Sequence, residues 1–329
     1  MKVLVTGGAG YIGSVAAEML IEAGHAVVVL DNLSRGHRAA VPPEATLRIG
    51  DIRLQQEVAG LLRSEKVDCV MHFAASSLVG ESMEHPGDYF DNNVIGILRL
   101  LEAMRETGID RIIFSSTAAT YGEPRQIPIR ESDPVEPTNP YGESKAISER
   151  ILSWYRRVHR FRYASLRYFN AAGASEAHGE DHAPETHLIP LALEAAAGRR
   201  SHLGIFGDDY GTPDGTCIRD YIHVCDLADA HIRALELLEQ LDGKDEAVFN
   251  LGNGEGYSVR EVVAAVERVT DHEVPVRNLP RRPGDPARLV ASAERARAVL
   301  GWRPRRTTLD QIVGDAWSWM QRHPDGYES

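Results

Sequence analysis

Short apolar runs alternate with amphipathic helical patterns through the first half of the chain. The runs are rich in Val, Ile, Leu and Phe and span residues 1–6, 26–30, 45–49, 68–73, 111–116 and 163–169. Strands that are covered on both faces form nearly continuous apolar runs, and their alternation with helices is typical of a parallel sheet. The pattern therefore predicts an α/β fold built on a doubly wound parallel sheet.

The pattern changes after residue 170. Residues 171–185 form a polar segment, and helical patterns return at 188–197, 227–241, 258–269, 292–300 and 308–322. Ser258 and Glu261 predict a capping box at the start of one of these helices. An apolar run at 247–251 predicts one more strand of the main sheet. We therefore predict a first domain at 1–170 that also receives this strand, and a smaller, discontinuous α/β domain formed mainly by 171–329.

A glycine-rich turn follows the first predicted strand. The residues Gly7-Gly8-Ala9-Gly10-Tyr11-Ile12-Gly13 satisfy both Gly-x-Gly-x-x-Gly and Gly-x-x-Gly-x-x-Gly and lead into a helical pattern. Such glycines let a pyrophosphate approach the backbone, and the helix N-terminus offers N–H groups to the phosphates. Asp31 ends the second predicted strand, about 20 residues beyond the turn, where an acid binds the adenosine ribose and disfavours a 2′-phosphate. The combination predicts a Rossmann-type site for NAD rather than NADP.

The composition restricts the possible partners. The 329 residues are 43% hydrophobic and carry a net charge of −12, which argues against a nucleic-acid-binding surface. The chain has neither an apolar run long enough to span a membrane nor an N-terminal signal-peptide pattern. Its three cysteines lack Cys-x-x-Cys spacing, so we expect free thiols in a reducing compartment and a cytoplasmic protein.

A tyrosine, a lysine and a hydroxyl at the end of a strand form a candidate catalytic group. Tyr141 and Lys145 form the chain's single Tyr-x-x-x-Lys pair, on a predicted helix that begins after Asn139. Four-residue spacing places the phenol and the ammonium on one helical face. A tyrosine of ordinary pKa is a poor base at neutral pH, and we expect the Lys145 cation to lower the pKa of Tyr141. Ser116 and Thr117 lie at the carboxyl end of a predicted strand, the edge at which open α/β sheets bind ligands, and the hydroxyl of either could hydrogen-bond a reacting oxygen.

Motifs spread over nearly the whole chain carry a resemblance to a known family. Its two most specific segments are DGTCIRDYIHVCDLADAH from Asp214 and RRPGD from Arg281. The other segments are VLVTGGAGYIGS, LDNLS, GDIR, HFAA, GES, DNNV, FSST, YGESK, LRYFNAAG and FNLGN. With these motifs the chain resembles the extended short-chain dehydrogenase/reductase family and, within it, the UDP-glucose 4-epimerases.

The resemblance implies site residues for NAD and for a nucleotide sugar. In the adenosine half of NAD, these are Gly7, Gly10 and Gly13 at the pyrophosphate, Asp31 and Asn32 at the ribose, and Asp51 and Ile52 at the adenine. In the nicotinamide half, they are Phe73, Ala74 and Asn92, with Lys145 at the ribose. Further contacts with NAD are implied for Tyr11, Ile12, Ala75, Ser115, Tyr141 and Phe169. For the substrate they are Thr117, Tyr141, Asn170, His187, Leu188, Leu289, Arg219 and Arg282 at the diphosphate, and Asp285 at the uridine ribose. The implied catalytic residues are Tyr141 as base, Lys145 tuning it, and Thr117 aiding proton movement.

The resemblance also implies an activity and an assembly. The implied activity is NAD-dependent 4-epimerisation of a UDP-hexose through a transient 4-keto sugar, as in galactose metabolism. The first domain would then bind NAD and the second would bind the UDP-sugar. The family is commonly homodimeric, and the helices around 94–104 and 147–155 are the candidates for the interface. The family uses no metal.

Three positions depart from the family pattern. Ser77 stands where some members have a Lys near the cofactor, and His187 replaces an Asn that often contacts the diphosphate. Leu289 aligns with the position that gates the 2-substituent of the sugar. A Tyr there is associated with rejecting N-acetyl sugars and smaller residues with admitting them, so activity on UDP-N-acetylglucosamine stays open.

Related enzymes on the same scaffold are the nearest alternatives. A nucleotide-sugar 4,6-dehydratase has Asp-Glu directly after the catalytic Thr, whereas Ala118 and Ala119 follow Thr117 in this chain. Alanines cannot transfer protons, which argues against the dehydratase. Epimerases of UDP-glucuronate or of UDP-pentoses remain open, because the sequence does not show which residues meet the sugar C5 substituent.

Two alternatives come from other functional classes. A non-catalytic NAD-binding sensor has no need of Tyr141 together with Lys145. A metal hydrolase would have to use His178, His182 and His187, but these lie in a segment with Gly and Pro and without a helical spacing on an apolar face. We expect them to be solvated loop histidines.

Overall fold

Strands and helices alternate along the chain in the computed structural model, which describes residues 1–244, 247–282 and 285–327. The strands are β1 (Lys2–Thr6), β2 (Ala26–Asp31), β3 (Thr46–Ile49), β4 (Cys69–His72), β5 (Arg111–Thr117), β6 (Arg162–Tyr168), β7 (Asn170–Ala172), β8 (Leu203–Phe206), β9 (Ile218–His223), β10 (Ala247–Leu251), β11 (Gly256–Ser258), β12 (Val276–Leu279) and β13 (Arg288–Leu289). The helices are α1 (Tyr11–Glu22), α2 (Gln55–Glu65), α3 (Val79–Glu84), α4 (Pro86–Tyr89), α5 (Gly96–Thr107), α6 (Pro140–His159), α7 (Leu188–Ala196), α8 (Val224–Gln240), α9 (Val259–Thr270), α10 (Glu294–Val299) and α11 (Leu309–Arg322).

Seven strands form one parallel sheet in the order β10-β6-β5-β4-β1-β2-β3. The order reverses between β1 and β4, as it does in a doubly wound fold. The edge strand β10 is the apolar run at 247–251, which belongs to the main sheet as predicted and pairs there with β6. The predicted Rossmann-type α/β fold is therefore confirmed.

Each face of this sheet is covered by its own apolar core. Helices α1 and α8 pack on one face together with the fully buried Trp302, and α2, α5 and α6 pack on the other. Val3 and Val5 of β1 belong to the first core and Leu4 to the second, which follows from the two-residue period of a strand. Because both faces are buried, polar residues are scarce along the strands.

The second half of the chain builds a smaller group of strands and helices. Strand β9 pairs with β7 and β13 in parallel and with β11 antiparallel, while β8 pairs with β12. Helices α7, α9 and α11 share a third core with them. The predicted capping box is confirmed, since the Ser258 hydroxyl accepts the N–H of Glu261 and the Glu261 carboxylate accepts that of Ser258. The division at residue 170 stays a prediction.

Some predicted element limits shift. The helical pattern near residue 94 becomes a regular α-helix only at Gly96, because Phe90–Ile95 form a π-helical segment. Residues 283 and 284 of the RRPGD motif lie outside the described residues. Within the part of the chain that the structure describes, none of the helices is long and apolar enough to cross a membrane.

Candidate active site

The carboxyl ends of β1, β4 and β5 lie side by side, since β4 pairs with both of the other strands. The glycine turn follows β1, Phe73 follows β4 and Thr117 ends β5. The strand order reverses between β1 and β4, and open α/β sheets bind ligands outside such a reversal. This edge is therefore the candidate active site.

Gly7 and Gly13 let the turn lie directly against neighbouring backbone. Gly7 has a φ of +73°, and a Cβ at this position would lie 2.5 Å from the backbone nitrogen of Ala74. A Cβ at Gly13 would lie 2.2 Å from the carbonyl oxygen of Gly7. The two glycines therefore allow α1 to begin close to the end of β1.

The first turn of α1 is suited to bind a pyrophosphate. An α-helix leaves its first N–H groups without intrahelical acceptors, and the N-cap Gly10 has no side chain to satisfy them. The N–H groups of Tyr11 and Ile12 are therefore available to an anion at the positive end of the helix. At the end of β2, the Asp31 carboxylate accepts the N–H of Ala9 at 3.0 Å, which fixes the acid beside the turn. These groups fit the pyrophosphate and the adenosine ribose of NAD.

The predicted adenosine contacts differ in exposure. Asn32 hydrogen-bonds to Asp51, and the guanidinium of Arg53 beside Asp51 lowers the pKa of that carboxyl. The Ile52 side chain is buried in the core under α5, where a Cβ on Gly96 would lie 2.6 Å from its Cδ1. Only the backbone of Ile52 can therefore border an adenine.

The residues that follow β4 and β6 lie where the nicotinamide half is expected. Phe73, Ala74 and Ala75 are half-buried, and the Phe73 ring lies 4.7 Å from the ring of His231 between centroids. Phe169 joins β6 to β7 and is half-buried as well. The next residue, Asn170, begins β7 beside β9.

Asn92 and Ser115 have partners within the protein. The Asn92 amide donates to Asn93 Oδ1 at 3.1 Å, and the Asn93 amide in turn donates to the Ser144 hydroxyl at 2.9 Å on α6. The Ser115 hydroxyl hydrogen-bonds to that of Tyr168. These contacts join the π-helical segment to α6 and β5 to β6 beside the site.

Thr117, Tyr141 and Lys145 come together as predicted. Asn139 caps α6 by accepting the N–H of Gly142 at 2.8 Å, and Tyr141 and Lys145 lie one turn apart behind this cap. The Tyr141 hydroxyl hydrogen-bonds to the Thr117 side chain. Both Tyr141 and Lys145 are buried. The predicted placement is confirmed, and the catalytic roles stay predictions.

The electrostatics of this group differ from the expectation. Burial raises the pKa of Tyr141, and the hydrogen bond with Thr117 opposes this effect. Burial also lowers the pKa of Lys145 to about 7, against the opposing charge of Glu149. The prediction that Lys145 lowers the pKa of Tyr141 is therefore wrong for this structure. The physical reason is that the Lys145 amine is itself desolvated and donates to the carbonyl of Ser115 at 2.9 Å.

The sequence interpretation missed a buried ion pair directly behind these residues. Glu149 on α6 accepts from Arg167 Nε on β6 at 2.9 Å and from the Ser116 hydroxyl on β5 at 2.6 Å. Arg167 also donates to the Tyr121 hydroxyl at 2.9 Å. The four-residue spacing from Lys145 to Glu149, which places both side chains on one face of the predicted helix, was the sequence signal for this ion pair. The pair ties α6 to both strands at the level of Thr117 and Lys145.

The predicted substrate residues of the second half lie on two neighbouring pairs of strands. Arg219 on β9 forms an ion pair with Asp285, and Leu289 on β13 pairs in register with Arg219. The guanidinium of Arg282 lies 3.9 Å above the ring of Phe206 on β8 and is exposed. The structure therefore brings Arg219, Asp285 and Leu289 together at β9 and β13, whereas Arg282 lies against Phe206 on β8.

His187 and Leu188 begin α7, with His187 as its N-cap. The Nδ1 atom of His187 lies 2.7 Å from Glu180 Oε1 and 2.9 Å from Glu185 Oε1. The carboxylate of Glu180 raises the pKa of His187 well above its usual value, against the effect of burial.

The prediction of solvated loop histidines is wrong for His178, whereas the side chains of His182 and His187 are 28% and 42% exposed. His178 is buried, and His182 and His187 both contact the buried carboxylate of Glu180. The segment that carries them packs against the glycine turn, where the Tyr11 ring meets the His182 ring edge to face at 6.3 Å between centroids. Exposed Ser77, in contrast, makes no contact that assigns it a role.

The family model described as "NAD dependent epimerase/dehydratase family" matches residues 3–252 of this chain. The chain belongs to the NAD dependent epimerase/dehydratase family. A UDP-glucose 4-epimerase of Halalkalibacterium halodurans is 53% identical over 331 residues, which cover 100% of this chain and 98% of the relative. The resemblance found in the sequence is therefore confirmed.

Solved structures of relatives in the NAD dependent epimerase/dehydratase family share the whole fold. A crystal structure of a UDP-glucose 4-epimerase superposes with a TM-score of 0.97 at 51% identity and covers 100% of both chains. The UDP-glucose 4-epimerase of Bifidobacterium longum, solved in complex with NAD+ and UDP, has a TM-score of 0.93 at 37% identity and covers 99% of this chain and 100% of its own. The smaller second region is therefore shared with these epimerases along with the central sheet.

Proposed function

We propose that the protein catalyses the NAD-dependent 4-epimerisation of a UDP-hexose and interconverts UDP-glucose and UDP-galactose through a transient 4-keto sugar. The observation that carries the proposal is the hydrogen bond between Tyr141 and Thr117, with Lys145 one helical turn away. This group lies at the same sheet edge as the glycine turn. A base and a dinucleotide site at one edge are the two parts that reversible oxidation of a sugar alcohol requires.

Tyr141 takes the proton of the sugar 4-hydroxyl and later returns it. NAD, when bound, supplies a hydride acceptor that takes hydrogen from C4 and gives it back on the opposite face. Thr117 holds the Tyr141 hydroxyl in position and passes protons to and from it. Lys145, fixed by the carbonyl of Ser115, holds the nicotinamide ribose.

The ketose must turn over between the two hydride transfers, so the substrate is anchored at its nucleotide end. Arg219 and Arg282 bind the diphosphate, and Asp285 binds the uridine ribose. Arginine suits this task because its planar guanidinium pairs with phosphate oxygens in a bidentate manner. No charged side chain is proposed to anchor the sugar itself, which leaves the ketose free to rotate.

The same edge argues against dehydration. Removal of water between C5 and C6 needs an acid and a base beyond the catalytic Thr. Ala118 and Ala119 occupy these positions, and the N–H of Ala119 donates to Thr117 Oγ1 at 3.2 Å. The backbone of this turn thus holds Thr117 in place, and neither of the two residues directly after it has a side chain that can transfer a proton.

The proposal is tested by following UDP-galactose with purified protein by NMR, without added NAD. We expect UDP-glucose to appear, and NAD to be released when the protein is denatured. Net production of NADH that depends on added NAD would indicate a dehydrogenase instead. Turnover of UDP-glucuronate or UDP-xylose but not of UDP-galactose would show that those sugars, and not a UDP-hexose, are the substrates.

We expect Leu289→Tyr to lower the rate on UDP-N-acetylgalactosamine relative to UDP-galactose by about tenfold or more, because the larger ring fills space needed by the 2-substituent. Leu289 is half-buried on β13, opposite Arg219 in register. The matched control is Leu61→Tyr on α2, where the leucine is also half-buried. An unchanged ratio of the two rates would remove Leu289 from substrate selection.

A second copy of the chain is the proposed partner of α5 and α6. Trp154 and Val158 on α6 have 62% and 63% of their surface exposed, and Ile95, directly before α5, has 40%. The hydroxyl of Tyr155 bonds to Glu102 and holds the two helices side by side. Exposed apolar side chains on adjacent helices are typical of a subunit interface, and a self-complementary pair of helices suits a twofold dimer.

We expect Val158→Glu to convert this dimer to monomer, since it places a charge in the apolar contact. Size-exclusion chromatography with light scattering measures the mass directly. The control is Val299→Glu at the end of α10, where the valine is 52% exposed and away from α6. A wild-type protein that runs as a monomer, or a Val158→Glu variant that stays dimeric, would contradict the proposed interface.

A further inference from the structure

Four side chains between β7 and α7 converge on one point. Glu180, His182, Glu185 and His187, here called the His–Glu cluster, each offer one ligand atom, and these atoms all lie within 4.8 Å of one another. The Nδ1 atoms of both histidines face Glu180 Oε1, at 3.1 Å for His182 and 2.7 Å for His187. His187 Nδ1 also lies 2.9 Å from Glu185 Oε1.

Protons alone satisfy this arrangement poorly. A ring nitrogen carries at most one proton, yet His187 Nδ1 faces two carboxylates. Both carboxylates are buried, with exposed side-chain fractions of 7% for Glu180 and 9% for Glu185. One protonated histidine compensates only one of these two buried negative charges, so a charge of +2 close to both carboxylates balances them better than a proton does. A divalent cation at the centre of the cluster contacts both carboxylates and both rings.

The ligand types select zinc among the common divalent cations. Zn²⁺ binds histidine nitrogen and carboxylate oxygen at about 2.0–2.2 Å, so the ligand atoms of a zinc tetrahedron lie about 3.3–3.6 Å apart. The distances of 2.7, 2.9 and 3.1 Å in the cluster are shorter than these values, so binding of zinc requires the ligand atoms to move apart by roughly 0.2–0.9 Å. Mg²⁺ and Ca²⁺ prefer oxygen ligands alone, which the two imidazoles do not provide. Four protein ligands leave no open position for a reacting water, as in structural zinc sites.

The backbone around the cluster is held by further contacts. The N–H groups of Thr186 and His187 both donate to Glu185 Oε1, at 2.6 Å and 2.7 Å, and fix the orientation of this carboxylate. His37 Nε2, on the connection after β2, bonds to the carbonyl of Asp181 at 2.8 Å. In metal sites, hydrogen-bond partners of this kind orient the residues that coordinate the metal.

The cluster lies against the glycine turn. The Tyr11 ring packs against that of His182, and the Tyr11 hydroxyl donates to the carbonyl of Gly173 at 2.6 Å. We propose that the His–Glu cluster is a structural zinc site that holds residues 180–187 in the conformation that packs against the first turn of α1. Zinc at this point stabilises the edge that holds the cofactor and takes no part in proton transfer at Tyr141.

Metal content tests the proposal independently of epimerase activity. Protein made without a histidine tag is desalted, and its zinc is measured by plasma mass spectrometry. We expect about one zinc per chain, because the closed ligand set retains it. Removal of zinc by a chelator is expected to lower Tm and to speed release of NAD, and added ZnCl₂ but not MgCl₂ restores both. Protein that contains no zinc and takes up none from micromolar ZnCl₂ would overturn the proposal.

Two substitutions of one ligand separate coordination from packing. We expect His182→Gln to lower zinc affinity by at least about 10²-fold. Loss of a coordinating residue lowers metal affinity more than loss of a residue that only hydrogen-bonds to a coordinating one. His182→Cys supplies another zinc ligand and is expected to keep the metal. His202→Gln, at a histidine outside the cluster and directly before β8, is the control. Zinc that binds equally in His182→Gln and in the unchanged protein would contradict the assignment.

Discussion

Replacing Tyr141 by phenylalanine is expected to lower kcat by about 10²–10⁴-fold while NAD stays bound. The change deletes the hydroxyl that hydrogen-bonds to Thr117 and keeps the ring that fills the same buried space. No other atom at this position takes up the proton of the sugar 4-hydroxyl. Conversion of UDP-galactose is followed by NMR, and the nucleotide released on denaturation is quantified in parallel.

Tyr155→Phe on the same helix is the matched control. The Tyr155 hydroxyl bonds to Glu102 on α5, away from the sheet edge. Its loss costs about 1 kcal/mol of stability, as for an ordinary hydrogen bond, and leaves kcat unchanged. Wild-type turnover in Tyr141→Phe would remove Tyr141 from the mechanism, and equal losses in both variants would point to damage of α6 instead.

The pH profile gives a second readout of the same substitution. Because burial raises the pKa of Tyr141, the phenol is protonated at neutral pH, and kcat is expected to rise with pH as phenolate forms. Lys145, whose pKa is lowered to about 7, titrates over part of this range in both proteins. A rise that disappears in Tyr141→Phe therefore belongs to Tyr141.

The central sheet could be predicted because its signals are local. A strand buried on both faces needs apolar residues at every position, so runs such as Ala26–Asp31 and Ala247–Leu251 are visible without knowledge of their neighbours. The glycine turn is local as well, since strand, turn and helix follow one another within about twenty residues. Neither feature depends on the distant pairing that fixes strand order.

The strands of the second region could not be predicted from such signals. β7 and β13 have three and two residues, and each pairs with β9 far away in the chain. At this length an apolar run cannot be distinguished from a loop, and pairing decides the structure. The ion pair between Arg219 and Asp285 depends on the same long-range register.

The site shows the same division between placement and environment. Helical spacing brings Tyr141 and Lys145 to one face, and the end of β5 brings Thr117 to the same edge, so their meeting was predictable. Their pKa values depend on burial by side chains from several elements, which no local pattern reveals. For this reason the expected direction of the Tyr141 pKa was wrong. His178, between β7 and α7, was misjudged for the same reason, since it becomes buried only in the fold.

The buried pair of Glu149 and Arg167 explains how the catalytic helix keeps its position. Ion pairs of this kind contribute little net stability over an apolar packing, yet removal of one partner leaves an uncompensated buried charge. Here the pair connects α6 with β6, and the Ser116 hydroxyl on β5 completes it. Thr117 follows Ser116 on β5, and Lys145 lies one turn before Glu149 on α6. The ion pair therefore sets the distance between Tyr141 on α6 and the sheet edge at Thr117.

Gly13→Ala is expected to release NAD and to destabilise the protein by about 3 kcal/mol, the upper part of the range for overpacked sites. The new Cβ would lie 2.2 Å from Gly7 O and 2.8 Å from Gly8 Cα, and both are backbone atoms that no side-chain rotation can move. Relief requires α1 to shift away from β1, which separates the N–H groups of its first turn from the end of the sheet. Thermal unfolding and the nucleotide content of the purified protein measure the two effects.

Substitutions at two other glycines are controls that separate the loss of stability from the loss of NAD. A methyl group on Gly60 of α2 would meet no atom within 4 Å beyond the backbone of its own helix, so Gly60→Ala is expected to stabilise by about 0.5–1 kcal/mol, as for any open helical glycine. Gly10 has an extended backbone, and its Cβ would lie 3.4 Å from Gly7 O, an ordinary contact. Gly10→Ala should therefore fold normally but hinder approach of the pyrophosphate. A Gly13→Ala protein with unchanged Tm and full NAD content would show that α1 need not lie so close to β1 and would contradict the role assigned to this turn.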